Sequence, residues 1–363
     1  MNEEERIREL EEELKKTPYN KATQHHIGLI KAQIAKLREK IEKKAAGRGA
    51  TKGYTIKKTG DATVVLVGYP SVGKSTLLNK LTNAESKVAS YEFTTLQVIP
   101  GLMEYKNAHI QVLDVPGVVK GAAVGTGRGK EVLSVMRAAD LVLILLEVQH
   151  PSHLKILKNE IYGSGVRLNE KMPNVTIRKT SRGGIVIGKT CKLTKTTEET
   201  VKSVAREFGI VNAEVIIRED ITIDRFIDVI EKNRVYVPAI TVLNKVDLVN
   251  EKKLEQLVAS LNPDICISAE KEVNIDNLKR LIFDKLNFIS IYCKQVGKKT
   301  DTNEPIIMKR GCTVSDVCSN LHKDFVRKFR FARVWGKSAK FPGQKFGLEH
   351  KLENNDIVEV HVR

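Results

Sequence analysis

The sequence predicts an α/β protein: a parallel sheet with crossover helices, interrupted by an inserted α+β subdomain, preceded by a helical hairpin and followed by a small mixed domain. Three observations carry this. From Asp61 onward short β-branched runs alternate with helical stretches, the mark of strand–helix–strand units. That rhythm stops at about residue 163 and resumes after 236. Residues 1 to about 47 keep their apolar positions three and four apart, the helical period. A chain of 363 residues has ample length for more than one core, and 41% hydrophobic with 29% charged residues excludes a disordered or fibrous class.

Taken in order, Ile7, Leu10 and Leu14 mark a first helix, and Ile27, Leu29, Ile30, Ile34, Leu37 and Ile41 a second. Thr17-Pro18 separates them, because proline cannot continue a helix, and the pair forms a helical domain over 1–50. Residues 1–16 hold seven acids and four bases, whereas 17–50 hold eight bases and only Glu39 and Glu42. The second helix is therefore a basic amphipathic element. Gly47 to Gly53 reads as a flexible joint.

The α/β domain spans 61–287. Its strands are Val64–Val67, Ile110–Leu113, Leu141–Leu146, Pro238–Leu243 and Ile265–Ser268, with helices at Lys74–Leu81, Lys130–Ala138 and Ile275–Leu286. The insertion, 163–236, is rich in Lys, Thr and Gly, includes Ser181-Arg182-Gly183-Gly184, and carries a helix at Glu198–Glu207. Removing it leaves about 150 residues, the usual size of one domain. Residues 288–363 form the last domain, with strands at Ile306–Met308 and Ile357–Val362 around a helix at Val314–His322.

The five cysteines are odd in number and lack a C-x-x-C pair, which points to a reducing, cytoplasmic compartment without structural zinc. No apolar run reaches the roughly 20 residues of a membrane helix, and the acidic start Met1 to Glu5 is unlike a signal peptide. Lys and Arg number 61 against 44 Asp and Glu, a formal net charge of +17. That surplus suggests a polyanionic partner such as RNA.

The strongest chemical signal is Gly68-Tyr69-Pro70-Ser71-Val72-Gly73-Lys74-Ser75, a complete phosphate-loop pattern between a strand and a helix. Glycines at both ends let backbone N–H groups turn inward as a nest, and the helix start adds its positive dipole end. Lys74 would reach the β- and γ-phosphates, and the Ser75 hydroxyl would ligate Mg²⁺. Asp114-Val115-Pro116-Gly117 ends a buried strand 40 residues after Lys74. There Asp114 can hold Mg²⁺ through water and Gly117 can swing its N–H to the γ-phosphate.

Asn244-Lys245-Val246-Asp247 also ends a strand. Asp247 can accept from guanine N1 and N2 together, a pairing adenine cannot satisfy, and an unpaired buried carboxylate is costly. Asn244 would brace the loops, and the Lys245 stem would cover the base. After the next strand, Ser268-Ala269-Glu270 offers an alanine N–H to guanine O6. In Tyr91-Glu92-Phe93-Thr94-Thr95-Leu96 a threonine hydroxyl, Thr95 in preference to Thr94, can complete the Mg²⁺ shell when the γ-phosphate is present. Ordinary loop chemistry is the alternative for that stretch.

Together these residues resemble a translation-factor-class GTPase of the Obg group, specifically the developmentally regulated GTP-binding protein family. The resemblance rests on Gly68 through Lys74-Ser75-Thr76, Tyr91 to Leu96, Asp114 to Gly117 and Gly125-Thr126-Gly127-Arg128-Gly129. It extends to Asn20-Lys21-Ala22-Thr23, His25-His26-Ile27-Gly28-Leu29, Asn233-Arg234-Val235-Tyr236-Val237-Pro238 and Val334-Trp335-Gly336. It implies a P-loop GTPase domain with a ribosomal-protein-S5-like insertion, an N-terminal helical hairpin, and a C-terminal TGS domain of β-grasp type. It further implies a cytoplasmic role on ribosomes or RNA, with a regulatory partner protein in some lineages. No DNA or membrane partner is expected.

Many GTPases place a glutamine after the mobile glycine to orient the attacking water; here that position is Val118. Water must then be positioned by backbone groups of the 117–119 segment, by Thr95, by a monovalent cation or by a partner, and slow intrinsic hydrolysis is expected. Some related GTPases use K⁺, held partly by a phosphate-loop asparagine. This chain has Ser71 there, which leaves K⁺ open. Arg128 reads as a solvated loop arginine, because glycine hinges alone do not aim a side chain.

Residues 323–345 hold Lys323, Arg327, Lys328, Arg330, Arg333, Lys337, Lys340 and Lys345 against Asp324, interleaved with Phe325, Phe329, Phe331, Trp335 and Phe341. The aromatics read as the core of the small domain, and the bases either as an RNA or ribosome contact or as its solvated face. His25-His26 reads as a packing pair and not a metal site. Two functions stand side by side: a GTP-hydrolysing switch on the translation apparatus, and a ribosome- or RNA-binding scaffold in which GTP mainly stabilises a conformation. A metabolic kinase is disfavoured, because no acid or base suits a second substrate.

Overall fold

A computed structural model of the protein describes residues 3–20, 22–46, 60–82, 99–115, 135–298 and 304–362. In chain order, α1 (Glu3–Lys16) and α2 (Gln24–Ala46) precede β1 (Ala62–Val67), α3 (Lys74–Leu81), β2 (Ile99–Tyr105), β3 (Ala108–Asp114), β4 (Leu141–Glu147) and α4 (His153–Gly163). Next come β5 (Val166–Leu168), β6 (Val175–Lys179), β7 (Ile185–Lys189), α5 (Glu198–Glu207), β8 (Ala213–Ile217), α6 (Ile223–Glu231) and β9 (Val235–Val237). They are followed by β10 (Ala239–Asn244), α7 (Glu251–Leu261), β11 (Ile265–Cys266) and α8 (Ile275–Lys285). The chain closes with β12 (Phe288–Cys293), β13 (Ile306–Lys309), α9 (Val314–Leu321), α10 (Lys323–Arg327), β14 (Phe329–Trp335), β15 (Gln344–Phe346) and β16 (Ile357–Val362). The expected joint Gly47–Gly53 and most of the expected helix Lys130–Ala138 lie outside the described residues. Among those described, no helix is long and apolar enough to cross a membrane.

The described residues fall into two compact units, one drawn from Met1–Gly53 and Gly165–Tyr236, the other from Tyr54–Ser164 and Val237–Arg363. The second holds a sheet of order β11-β10-β4-β1-β3-β2, parallel except for the edge strand β2. Every residue of β1 and of β4 is buried, as strands covered by helices on both faces require. Consequently the loops after β1, β3, β10 and β11 all leave the sheet at its carboxyl edge, where open parallel sheets bind ligands.

The same unit holds a sheet of order β13-β12-β16-β14-β15. Helix α9 opens on a capping box in which Thr313 and Asp316 satisfy each other's backbone N–H groups. It packs Val314, Val317 and Cys318 against Ile289, Ile291, Ala332, Val334 and Val358. Strand β14 corrects the expectation that the aromatics are core. Phe325 and Phe329 pack in this core, while Phe331 and Trp335 alternate with buried Ala332 and Val334 and so take the opposite face. There Phe331 stacks on His361 with the Lys345 ammonium 4.7 Å from its centre. Trp335 has Lys294 4.5 Å over its ring and Gly343 against its indole. Phe341 is 69% exposed. In the Trp335-Gly336 motif, a Cβ at Gly336 would lie 2.2 Å from Asp356 Oδ1, so the motif is structural.

In the first unit α1 and α2 form the expected hairpin around Leu10, Ile30 and Ile34. Asn20 and Thr23 exchange backbone-to-side-chain hydrogen bonds of 3.0 and 2.9 Å ahead of α2. His25 Nε2 lies 3.0 Å from the Ser203 hydroxyl in a part-buried contact, whereas exposed His26 has Nε2 2.9 Å from Glu13, so of the expected packing pair His25 packs and His26 makes a surface contact. Helix α2 has a second apolar stripe: Ala32 and Ala35 join Val201, Val204, Ala205 and Phe226. A Cβ on Gly28 would come within 2.8 Å of Thr200. Four basic residues of α2 are matched internally, Lys31 by Asp224, Lys36 by Glu207, Arg38 by Glu11 and Lys40 by Glu3.

The insertion is a three-stranded sheet, β6-β8-β7, with α5 and α6 capped by the Thr197 and Thr222 hydroxyls. Strands β5 and β9 pair where the chain enters and leaves it. Beside this ribbon Asp228 accepts two hydrogen bonds from Arg167, at 2.7 and 2.8 Å, and one from Arg234 at 2.9 Å.

Candidate nucleotide-binding site

The loop Gly68–Gly73 connects β1 to α3 at the centre of the parallel sheet. A Cβ at Gly68 would stand 2.7 Å from the Leu145 carbonyl oxygen, and one at Gly73 2.5 Å from Asn244 Nδ2. Gly73 also has φ of 92° as the residue before α3, so its conformation and its surroundings both demand glycine. Val72 is buried in the sheet core, Tyr69 packs on it, and Pro70 and Ser71 are exposed. Ser71 itself has φ of 64°. Lys74 donates to Gly68 O and Tyr69 O, each at 3.1 Å, which leaves one of its three N–H donors for an anionic oxygen. Burial lowers its pKa, an effect Asp114 opposes.

Strand β3 pairs with β1 so that Asp114 stands beside Leu66, one strand over from the loop. Asp114 Oδ2 accepts from the Ser75 hydroxyl at 2.8 Å. Its other oxygen, Oδ1, is buried and has no hydrogen-bond partner among the described residues. Half-buried Thr76 follows on α3, and Val115 is buried. Thr94, Thr95, Pro116, Gly117, Val118 and the Gly125–Gly129 stretch with Arg128 lie outside the described residues.

The third loop follows β10. Asn244, 2% exposed, donates from Nδ2 to Val72 O at 2.9 Å and accepts at Oδ1 from Ala269 N at 3.0 Å. It therefore ties the phosphate loop to the loop after β11. Lys245 takes a left-handed conformation, φ 63°, and Val246 opens a single 3₁₀ turn containing Asp247. A hydrogen bond from the buried Ser268 side chain leads the causes that hold Asp247 below its usual pKa, so the carboxylate is fixed in its charged, accepting form. Ala269 N–H is committed to Asn244 in this arrangement, a bond the sequence does not disclose; Glu270 is exposed.

Sequence reasoning missed Glu147, the last residue of β4, which pairs in register with Asn244. It is 8% exposed and accepts from Lys245 Nζ at 2.7 Å. Lys245 Nζ also donates to Ser71 O at 2.7 Å. The only hint in the sequence is a lone acid ending an otherwise apolar run.

At the other candidate surface, Arg327, Lys328, Arg330 and Arg333 are exposed and make no ion pair among the described residues. Arg330 lies 5.8 Å from the Phe331 ring centre, and the rings of Phe331 and Trp335 already have partners, so Arg327, Lys328 and Arg333 are available as charges more than as frames for stacked nucleobases. Lys323 opens α10.

Residues 63–179 match the family described as 50S ribosome-binding GTPase, residues 182–288 the C-terminal region of that GTPase domain, and residues 289–362 the TGS domain. An uncharacterized GTP-binding protein of Methanocaldococcus jannaschii is 54% identical over 99% of this chain and 93% of its own length. Developmentally-regulated GTP-binding protein 1 of Xenopus laevis is 43% identical, covering 98% of both chains. Developmentally-regulated GTP-binding protein 2 of Homo sapiens is 41% identical, again over 98% of both. With a GTPase domain followed by a TGS domain, and with identity of this degree sustained from end to end, the chain belongs to the developmentally regulated GTP-binding protein family of GTPases.

Proposed function

We propose that this protein is a molecular switch that binds GTP, hydrolyses it to GDP and phosphate, and acts on the ribosome or its RNA. The observation that carries the proposal is the convergence at one sheet edge of Lys74, Asp114, Asn244 and Asp247, with Lys74 bonded to Gly68 O and Tyr69 O, Asp114 to the Ser75 hydroxyl, and Asn244 to Val72 O and Ala269 N. In this reading 61–287 is the GTPase domain with 163–236 as its insertion, 1–50 the helical domain and 288–363 the TGS domain.

The loop Gly68–Thr76 wraps the phosphates with backbone N–H groups and Lys74. Asp247 accepts from guanine N1 and N2, Lys245 covers the base, and Ala269 N–H shares itself between Asn244 and guanine O6 as a three-centre bond. The residues present fit Mg²⁺: the Ser75 hydroxyl is a hard oxygen donor, and the buried Asp114 Oδ1, without a hydrogen-bond partner among the described residues, would hold such an ion through water. Thr95 would complete that shell. When bound, Mg²⁺ neutralises charge developing on the β- and γ-phosphate oxygens. Gly117 would donate its N–H to the γ-phosphate, and the Val118 backbone would help orient water, since its side chain has no polar atom.

A hydrolytic site without a glutamine at 118 should be slow alone, and Ser71 presents an exposed hydroxyl where a K⁺ could be held. Turnover is expected to be faster in KCl than in NaCl at equal ionic strength; equal rates remove K⁺ from the mechanism. Contact with the ribosome is supported by the unmatched charges of Arg327, Lys328, Arg330 and Arg333. Ribosomes are expected to accelerate single-turnover hydrolysis at least about tenfold, with an interaction that weakens steeply as salt rises. A rate unaffected by ribosomes would favour the scaffold reading, which the hydrophobic Val118 independently supports, and salt-insensitive binding would remove the electrostatic contact.

A further inference from the structure

We propose, on the basis of the nucleotide site assigned above, that Glu147 is a positioning residue for guanine-nucleotide binding, acting through Lys245. Lys245 is asked to lie flat along a base, yet it sits on a loop in a left-handed conformation and its four-carbon stem is free to rotate. Two acceptors fix its ammonium: the Ser71 carbonyl of the phosphate loop and the Glu147 carboxylate of β4, each at 2.7 Å. A carbonyl alone leaves the ammonium a cone of orientations. A second, charged acceptor from a different strand restricts it to one.

Glu147 is itself held. Its other oxygen lies 2.8 Å from His150 Nδ1. The His150 ring is stacked parallel on His153 at 4.9 Å, and His153 is stacked on Tyr69 at 3.8 Å. Tyr69 belongs to the phosphate loop, two residues before Ser71. The contacts therefore close a ring: phosphate loop, Lys245, Glu147, His150, His153, and the phosphate loop again. Burial raises the Glu147 pKa, but the hydrogen bonds from Lys245 and His150 more than offset it, so the carboxylate is charged when it meets the ammonium. The ring joins the loop that would hold phosphates to the residue that would cover the base by a route separate from Asn244.

Removing the charge of Glu147 should loosen Lys245 without touching the reacting atoms. GTP and GDP should therefore be weakened in parallel, while the rate constant for hydrolysis of bound GTP stays the same. In full-length protein with Mg²⁺, Glu147→Gln is expected to raise the dissociation constants of fluorescent GTP and GDP analogues about tenfold through faster release, with unchanged single-turnover hydrolysis at saturation. In a Lys245→Ala background the same change should have little further effect on affinity. A merely structural role would instead give equal losses in both backgrounds.

Glu147→Asp keeps the charge and should retain affinity within about threefold of the parent; Glu147→Ser, which also removes the charge, carries the double-mutant comparison should the glutamine variant be insoluble. Unchanged affinity in Glu147→Gln, or equal losses with and without Lys245, overturns the proposal. Failure of the unsubstituted protein to prefer guanine over adenine nucleotides would instead overturn the site assignment on which it stands.

Discussion

Asp247→Asn is expected to lower guanine-nucleotide affinity by about a thousandfold and to confer binding of xanthosine nucleotides, because it replaces a two-fold acceptor by one acceptor and one donor. Guanine presents two N–H donors to Asp247. Xanthine presents one N–H and a carbonyl oxygen, which an amide matches. Asp247 lies in the single 3₁₀ turn after β10, and Ser268 is the leading cause that lowers its carboxyl pKa. Titration calorimetry with GDP, XDP and ADP measures all three. A variant that loses GDP without gaining XDP would show that Asp247 supports the loop and does not read the base.

The second large effect lies in the unit that contains the insertion. Asp228 is 2% exposed at its side chain and is shared between Arg167, 4% exposed, and Arg234. Deleting the carboxylate takes its bidentate partner from a buried guanidinium, and breaking buried pairs in this one-sided way costs about 3–5 kcal/mol. Asp228→Ala is expected to destabilise this unit by that amount, read as earlier urea unfolding and faster hydrogen exchange in 165–236. Replacing Arg167 and Asp228 together by Met and Leu should recover much of the loss, because desolvating an ion pair offsets most of its attraction. A loss below about 1 kcal/mol in the alanine variant would mean that water replaces the carboxylate and that the site is less dry than its burial implies.

Much of the fold could be read from local pattern. The apolar runs of β1 and β4 announce strands covered on both faces, and the phosphate loop is contiguous, so its residues, flanking strand and helix are legible together. The guanine loop is legible for the same reason. What the sequence hid is non-local. Glu147 matters because β4 and β10 are neighbours in a register that sets it beside Asn244, and nothing near residue 147 reveals that. The small-residue stripe of α2, Gly28, Ala32 and Ala35, gives a weak hydrophobic signal although it meets the insertion's core. Bases and aromatics dominate the composition around β14, masking the period-two alternation that places Ala332 and Val334 inside. Helix α7 had a readable cap, since Asn250 accepts from Lys253 N at 3.0 Å, but its polar surface obscured it.

The paired strands β5 and β9 bear on how such a chain assembles. Because Val235 N donates to Gly165 O at 3.1 Å, the two ends of a long excursion are fastened to each other by their own hydrogen bonds. The entropy of closing that excursion grows only with the logarithm of its length, and this ribbon absorbs it locally. β10 can then find its parallel partner β4 as though only the crossover helix α4 separated them. Lineages could lengthen, shorten or exchange what hangs from such a doorway without re-registering the nucleotide-bearing strands.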